Sequence, residues 1–199
     1  MDNPFPPVPG SSAGIRLLGL TGAPGVGKST YAAALAAEHG LAVVPMDGFH
    51  YADVELARRG LLDRKGAPDT FDAEGYAVLL RRVRRCEPAV VAPAFDRDLE
   101  QALAGAIAVP ATGTVVTEGN YLLLDEPRWR AVRAEVDEVW HLHVDDDLRR
   151  ERLVARHVRH GKSPAEARAW VAHVDEPNAR LVETVAARAD RVLDLTARA

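Results

Sequence analysis

Short apolar runs alternate with longer helix-forming stretches along the chain. A short apolar run bounded by turn residues predicts a buried strand, and a stretch of helix-forming residues predicts a helix. Strands are predicted in this way at residues 15–20, 41–46, 89–95, 114–117, 136–144 and 191–195. Helices are predicted at residues 29–39, 53–59, 73–85, 145–160, 164–173 and 178–188. Their alternation predicts an α/β fold of three layers, in which a mainly parallel sheet carries helices on both faces.

The composition is that of one globular domain. Of the 199 residues, 47% are hydrophobic and 27% are charged, which provides a full core without metal or disulfide cross-links. We therefore predict one domain over residues 15–199, preceded by a flexible, Pro-rich tail at residues 1–14. The tail lacks the basic and apolar regions of a signal peptide, and no run reaches transmembrane length. We expect a cytoplasmic protein that does not bind a membrane.

Charge and cysteine content exclude two further classes. The formal net charge of -4 and the pI near 6.0 give no general basic field, so we expect no nucleic-acid partner. Cys86 is the only cysteine, which excludes an intrachain disulfide and a zinc site built from several cysteines. A single cysteine is also typical of a protein in a reducing compartment.

A phosphate-binding motif follows the first predicted strand and opens the first predicted helix. It satisfies G-x-x-x-x-G-K-[ST], and in that context backbone N–H groups and a helix N-terminus can surround phosphate oxygens. A glycine-rich turn without a ligand is the alternative, but such a turn does not need a Lys-Ser pair at this position. We predict that Lys28 contacts the β- and γ-phosphates of ATP and that Ser29 ligates Mg²⁺. The predicted nucleotide-binding residues are Gly22, Ala23, Pro24, Gly25, Val26, Gly27, Lys28, Ser29 and Thr30.

Two acidic residues follow later predicted strands, and ligands collect beyond the carboxyl ends of parallel strands. Asp47 precedes the possible pocket residues Phe49 and His50, although an Asp before Gly is equally typical of a turn or a helix cap. Glu118 follows the strand at residues 114–117 and has the position of a Walker-B carboxylate that holds Mg²⁺. The alternative for Glu118 is a solvent-facing side chain in a tight loop.

These motifs together resemble a known superfamily. The phosphate loop, Met46-Asp47-Gly48-Phe49-His50 and the run from Glu118 to Leu124 resemble the uridine kinase, phosphoribulokinase and bacterial pantothenate kinase superfamily. Three further runs, at residues 65–72, 93–97 and 175–179, are most similar to its short nucleoside/nucleotide kinase branch. The resemblance implies a three-layer P-loop NTPase fold and a catalytic role for Asp47, as the base or orienter of an acceptor hydroxyl.

The same resemblance implies where the acceptor binds. The residues implied or predicted to face it are Phe49, His50, Asp72, Phe95, Asp96, Arg97, Asn120 and Tyr121. One departure affects the acceptor, because uridine kinases usually carry a Tyr-Asp pair where this chain has Phe95-Asp96. The acceptor is therefore left open among nucleosides, pantothenate-like compounds and sugars.

Four arginines lie three or four residues apart in the predicted helix at 145–160, so they share one face. They are Arg149, Arg152, Arg156 and Arg159. A solvated basic face is one interpretation of this stripe. The resemblance implies another, a helical lid over about residues 149–176 whose arginines reach the transferring phosphoryl group. We select Arg152 and Arg156 as catalytic on that basis, together with Lys28 and Asp47.

The sequence thus predicts an ATP-dependent kinase that transfers the γ-phosphoryl group to a hydroxyl of a small metabolite. The alternative is a regulatory NTPase without a small-molecule acceptor, although the chain has no guanine-reading Asn-Lys-x-Asp motif. The expected cofactors are ATP and Mg²⁺. The expected partner is a small-molecule acceptor, and the oligomeric state is left open, with a homodimer as one option.

Overall fold

The computed structural model describes residue 8 and residues 16–196. Its main sheet has five strands in the order β2-β5-β1-β6-β7, and every neighbouring pair is parallel. The strands are β1 (Arg16–Thr21), β2 (Ala42–Pro45), β5 (Thr114–Glu118), β6 (Glu138–His143) and β7 (Arg191–Asp194). The predicted α/β architecture with a mainly parallel sheet is confirmed. All five strands therefore end at the same edge of the sheet.

Two further strands form a separate antiparallel hairpin. They are β3 (Val91–Asp96) and β4 (Gln101–Ala108). The strand predicted at residues 89–95 thus exists, but it does not join the parallel sheet. Strand β4 was not predicted, because its run of Ala and Gly has low intrinsic strand propensity. It is stabilised by pairing with β3 rather than by its own composition.

Helices cover both faces of the sheet. They are α1 (Lys28–His39), α2 (Asp53–Arg59), α3 (Ala73–Arg84), α4 (Pro127–Arg133), α5 (Asp146–Arg159), α6 (Pro164–Trp170) and α7 (Glu176–Glu183). The short helix α4 was not predicted. The predicted break between helices at residues 164–173 and 178–188 is wrong, because a π-helical turn over Val171–Asp175 joins α6 to α7. The helix predicted to reach residue 188 ends at Glu183.

The π-helical turn has an identifiable cause in the sequence. Pro177 has no N–H to donate to the carbonyl of His173, and its ring would collide with that carbonyl in an uninterrupted α-helix. The backbone instead widens by one residue, and the N–H of Glu176 donates to the carbonyl of Val171. A proline that usually ends a helix is thereby accommodated within a continuous helical segment.

The core consists of one apolar layer on each side of the sheet. Consecutive residues of β1 alternate between them, with Leu17 in the layer beneath α3 and α4 and Leu18 in the layer beneath α1. The largest buried side chains of the two layers are Trp129 and Trp140, respectively. Both faces of the sheet are therefore covered, as a parallel sheet requires.

The predicted tail at residues 1–14 lies outside the described residues, apart from Val8. Val8 packs against the apolar layer that contains Leu18. Within residues 16–196, no helix combines the length and apolar character needed to cross a membrane.

Gly25 provides a test of how closely α5 packs on the loop between β1 and α1. Its φ is 84°, and a Cβ atom there would lie 2.8 Å from the carbonyl oxygen of Arg149 and 2.6 Å from Cγ of Leu153. We expect Gly25→Ala to lower the free energy of unfolding by about 2–4 kcal/mol, since strained backbone and overpacking both contribute. Urea denaturation followed by circular dichroism would measure the loss.

Gly40→Ala is the matched control. Gly40 has a φ of 64° at the end of α1, with no atom within 4 Å of an added Cβ. It should cost only about 1 kcal/mol, the backbone contribution alone. Equal losses in the two variants would show that α5 does not constrain the loop.

Candidate active site

The loop between β1 and α1 has the geometry of a phosphate-binding loop. Gly22, Gly25 and Gly27 all have positive φ, and a Cβ atom at Gly22 would lie 2.4 Å from the carbonyl oxygen of Leu142. The Lys28 ammonium folds over the loop and donates to the carbonyl oxygens of Gly22 (3.0 Å) and Ala23 (3.2 Å). The loop thus presents backbone N–H groups, a helix N-terminus and a buried cation in one place.

The sheet places Glu118 beside this loop. β5 lies directly between β1 and β2, and Glu118 pairs in register with Leu20 of β1 and Pro45 of β2. Its side chain is buried and accepts a hydrogen bond from Oγ of Ser29 at 3.0 Å. The two residues predicted to hold Mg²⁺, Ser29 and Glu118, are therefore in direct contact.

Close backbone packing brings Asp47 toward the same edge. A Cβ atom at Gly119 would lie 2.5 Å from Cβ of Met46, and one at Gly48 would lie 2.5 Å from the carbonyl oxygen of Pro93. The glycine after each carboxylate is thus required by packing. The Asp-Gly and Glu-Gly pairs in the sequence reflect this constraint on the backbone.

Asp47 has two close polar neighbours. Its Oδ2 accepts a hydrogen bond from Nη2 of Arg97 at 2.7 Å, and its backbone carbonyl accepts one from Nδ1 of His50 at 2.9 Å. A carbonyl oxygen can only accept, so Nδ1 of His50 carries a proton. Arg97 comes from the β3-β4 hairpin, which therefore contributes directly to the site despite lying outside the main sheet.

Burial and charge shift the ionisation of three central groups. Burial lowers the pKa of Lys28 to about 8, although the negative charges of Glu118 and Asp47 partly oppose this. Burial, followed by repulsion from Asp47, raises the pKa of Glu118 to about 7. Burial also raises the pKa of Asp47, but His50, Arg97 and Lys28 outweigh it, so the pKa lies below the ordinary value. Such opposed shifts are typical of functional sites.

The four arginines of the predicted stripe have different environments. Arg149 is buried, pairs with Asp146 and Glu176 and donates to the carbonyl of Pro24. It anchors α5 to the phosphate loop and to α7. Arg149 therefore fits neither interpretation of the stripe, because it is not solvated and its guanidinium is already paired within the protein. The other three arginines, Arg152, Arg156 and Arg159, line the cavity described next.

One cavity of about 710 Å³ connects these groups. The predicted site residues that line it are Pro24, Gly25, Gly27, Lys28, Ser29, Thr30, Asp47, His50, Phe95, Arg97, Glu118, Asn120, Arg152 and Arg156. The structure therefore gathers the phosphate loop, both candidate carboxylates, the lid arginines and half of the predicted acceptor residues around a common space. A cavity of this size fits a nucleotide and a small molecule.

The other four predicted acceptor residues do not line the cavity and make structural contacts instead. Asp72 caps α3 by accepting from the backbone N–H of Gly75 at 2.9 Å. Asp96 accepts from two backbone N–H groups in the β3-β4 turn. Phe49 packs on the ring of Tyr76 with 4.7 Å between ring centres. Tyr121, the fourth, is buried and donates its hydroxyl to the carbonyl of Gly66.

Several residues that line the cavity were not among the predicted site residues. Lys65 forms an ion pair with Asp53 at 2.7 Å, and Asp175 contacts Nε2 of His157 at 2.8 Å. Asn178 donates to the carbonyl of Gly66 at 3.4 Å. Lys65, Asp175 and Asn178 lie in the runs at 65–72 and 175–179. Both runs carry the resemblance to the kinase branch, but the sequence alone assigned no chemical role to these three residues.

The donor set fits Mg²⁺ bound together with a nucleotide. Mg²⁺ is commonly held by one or two protein oxygens plus phosphates and water, which the Ser29 hydroxyl and the Glu118 carboxylate can supply. A buried carboxyl group with a raised pKa is the kind of group that a cation would stabilise. In the described part of the chain, no group of three or more His, Cys, Asp or Glu residues could hold a metal by itself.

The raised pKa of Glu118 predicts a pH-dependent stability. Folding raises this pKa from 4.5 to about 7, so the wild type loses stability as the pH rises through this interval. Glu118→Gln cannot ionise and avoids this loss. Relative to the wild type, it should gain about 1–3 kcal/mol in free energy of unfolding between pH 4 and pH 8 without nucleotide or metal.

Urea denaturation at several pH values would measure the gain. Glu126→Gln, which removes an exposed carboxylate before α4, is the control and should follow the wild type. A Glu118→Gln curve parallel to the wild type across this range would contradict the raised pKa.

Comparison with known proteins identifies relatives over most of the chain. YggC of Escherichia coli is 33% identical over 184 residues, covering 89% of this chain and 76% of YggC. A candidate uridine kinase of Schizosaccharomyces pombe is 34% identical over 166 residues, covering 77% of this chain and 71% of that protein. No protein-family model matches the chain.

A solved structure gives a similar result. A candidate fructose transport system kinase from Silicibacter sp. TM1040 is 41% identical and superposes with a TM-score of 0.82, over 96% of this chain and 92% of that one. The similarity in sequence and the similarity in fold thus indicate the same class of protein as the phosphate loop and the carboxylates around the cavity. The chain belongs to the family of ATP-dependent P-loop kinases related to YggC, uridine kinase and pantothenate kinase.

Proposed function

We propose that this protein transfers the γ-phosphoryl group of ATP to a hydroxyl group of a small metabolite. The observation that carries the proposal is that the Asp47 carboxylate shares one cavity with Lys28, Ser29 and Glu118. A protein that only binds nucleotide needs the phosphate loop and its metal site, whereas a kinase also needs a group that receives the acceptor. Asp47 is in position to be that group.

The nucleotide side of the reaction would use the phosphate loop. Its backbone N–H groups and the N-terminus of α1 bind phosphate oxygens, and Lys28 exchanges its two carbonyl partners for the β- and γ-phosphates. Ser29 and Glu118 would hold Mg²⁺, which when bound neutralises charge on the phosphates. The cation-rich environment thereby prepares the γ-phosphoryl group for attack.

The acceptor side would use Asp47. The acceptor oxygen forms a bond to the γ-phosphorus, the bond from that phosphorus to the bridging oxygen of ADP breaks, and the hydroxyl proton passes to the Asp47 carboxylate. Arg97 pairs with this carboxylate when no acceptor is bound, and the contact from His50 to the backbone carbonyl of Asp47 holds that residue in place. Positioning is as important as basicity here, because the pKa of Asp47 lies below its ordinary value.

The lid side would use Arg152 and Arg156. Arg152 donates to the carbonyl of Val26 at 3.4 Å and therefore already lies against the phosphate loop. Arg156 lines the cavity, where burial and repulsion from Arg97 lower its pKa. An anion between these guanidinium groups would relieve that repulsion, and the transferring phosphoryl group is such an anion.

The relatives support a small acceptor without fixing which one. They include proteins named for uridine, for pantothenate and for fructose transport, and each of these compounds carries hydroxyl groups. The pantothenate kinase of Limosilactobacillus reuteri is 31% identical, but this chain covers only 45% of its length. Acceptor choice is therefore a property of the pocket rather than of the family.

Asp47→Asn tests the acceptor role of Asp47. It preserves the side-chain shape and removes the proton acceptor, so acceptor-dependent turnover should fall by about tenfold or more with nearly unchanged ATP affinity. Coupled ADP-release kinetics and a direct ATP-binding titration would measure the two quantities. Turnover within twofold of the wild type would reject the proposed role and leave Asp47 as a turn residue.

Arg156→Ala tests the lid. Its guanidinium should act mainly on the charge that develops during transfer, so kcat should fall by about tenfold or more while KM for ATP changes little. Arg150→Ala is the control on the same helix, since Arg150 pairs with Asp147 and does not line the cavity. An Arg156→Ala rate equal to that of the control would show that the stripe is a solvated face.

A further inference from the structure

The Asp47 carboxylate is already paired, and this pairing affects how it could accept a proton. Its Oδ2 lies 2.7 Å from Nη2 of Arg97. An adjacent guanidinium favours the ionised carboxylate and so makes it a weaker base. In the proposed reaction, Asp47 would be most effective when Arg97 is withdrawn from it.

The ion pair is of a kind that a competing anion can displace. The side chains of Arg97 and Asp47 are 42% and 27% exposed, and partly exposed pairs contribute little to stability. Arg97 also has four further N–H donors arranged in a planar fork that matches a carboxylate or a phosphate. It can therefore exchange one anionic partner for another at low cost.

A second cation shares the Phe95 ring with Arg97. The Lys65 ammonium is 5.5 Å from the centre of the Phe95 ring, and the Arg97 guanidinium is 5.1 Å from the same centre. Lys65 is held in place by Asp53 at 2.7 Å and by the carbonyl of Glu100 at 2.6 Å. The α2 and β3-β4 segments thus fix two positive groups around one aromatic side chain in the cavity.

The lid adds a third positive group, Arg156, which interacts with Asp175 and Asp47 only at a distance. Within residues 16–196, the Arg156 guanidinium has neither a hydrogen bond nor an ion pair, whereas Arg149 and Arg150 on the same helix are both paired with carboxylates. Arg156 is half-buried and within electrostatic range of Arg97. One anion on the phosphate loop and a second near Arg97 would balance these charges.

The aromatic wall of the cavity is less suited to stacking a nucleobase. The ring centre of His50 lies 3.9 Å from that of Phe71 and 5.0 Å from that of Phe95. Phe95 also lies within cation–π distance of Lys65 and Arg97, so a base stacked on this ring would compete with charged side chains. A compact acceptor that brings charge to Arg97 and Lys65 fits this wall better than a neutral nucleoside.

We propose that the acceptor carries a carboxylate or phosphate group that binds Arg97 and Lys65, draws Arg97 away from Asp47 and thereby frees Asp47 to take the hydroxyl proton. This inference rests on the proposed kinase function and adds the charge class of its acceptor. An acceptor without the anion leaves Asp47 paired with Arg97. Acceptor binding and activation of the base are thus coupled through one guanidinium.

Matched acceptors provide the first test. The panel pairs glycerate with glycerol, gluconate with glucose, pantothenate with pantothenol, and fructose 1-phosphate with fructose, and acceptor-dependent ADP release is measured for each. We expect the anionic member of the active pair to have the higher kcat/KM by about 10- to 100-fold, the range of a charge-assisted hydrogen bond. The three carboxylate acceptors and the one phosphate acceptor show which of the two anionic groups the site prefers.

Arg97 variants provide the second test. Arg97→Gln should lower kcat/KM for the anionic acceptor by about 10- to 100-fold and raise that of its neutral counterpart, because Asp47 is then unpaired, so the preference for the anion is lost. Acceptor-independent ATP hydrolysis should rise, because Asp47 is then free to activate water. Arg97→Lys should restore part of the preference, and Arg58→Gln, which removes an exposed arginine outside the cavity, should behave as the wild type.

The outcomes separate this inference from the function on which it rests. Equal use of anionic and neutral acceptors, or a preference that survives in Arg97→Gln, would overturn the inference of an anionic acceptor. The proposed kinase function would still stand. No turnover with any member of the panel, in a protein that binds ATP, would count against the proposed function and the inference together. Unfolding midpoints of each variant within a few degrees of the wild type would confirm that the comparison concerns folded protein.

Discussion

The parallel pairing of β1, β5 and β2 is the constraint on which the site depends. Because all three strands end at one edge of the sheet, the phosphate loop, Glu118 and Asp47 are brought together from positions far apart in sequence. β5 lies between the other two, so Glu118 is adjacent to the loop and Asp47 is one strand further away. The order of the groups across the edge matches the order in which a phosphoryl group would move from nucleotide to acceptor.

This arrangement buries the charged groups of Lys28 and Glu118. The burial of Lys28 and Glu118 opposes their ionisation, and each is only partly balanced by its neighbours. A ligand that brings phosphates and a divalent cation would supply the missing charges. The fold thus accepts a local cost in stability at the place where binding can recover it, which is common at functional sites.

The elements around the edge are connected by a few buried contacts. Arg149 joins α5 to the phosphate loop and to Glu176 of α7, while the π-helical turn before α7 places Asp175 in the cavity opposite His157. A movement of α5 would therefore displace both the phosphate loop and the wall of the cavity at Asp175. The hairpin β3-β4 contributes Arg97 and Phe95 to the cavity from outside the main sheet, so this wall of the cavity can vary without altering the phosphate loop.

The sequence by itself determined the parallel α/β class, the phosphate loop and the two carboxylates, because periodicity, glycine spacing and strand-end position are local signals. It did not determine that β3 pairs with β4 outside the sheet, since strand partners are chosen by contacts distant in sequence. Nor did it determine that Asp72 and Asp96 cap backbone groups, whereas Lys65 and Asp175 line the cavity. Residue type and spacing cannot distinguish a capping carboxylate from a cavity carboxylate. Only the tertiary structure decides which side chains share a space, because that depends on how separate elements pack.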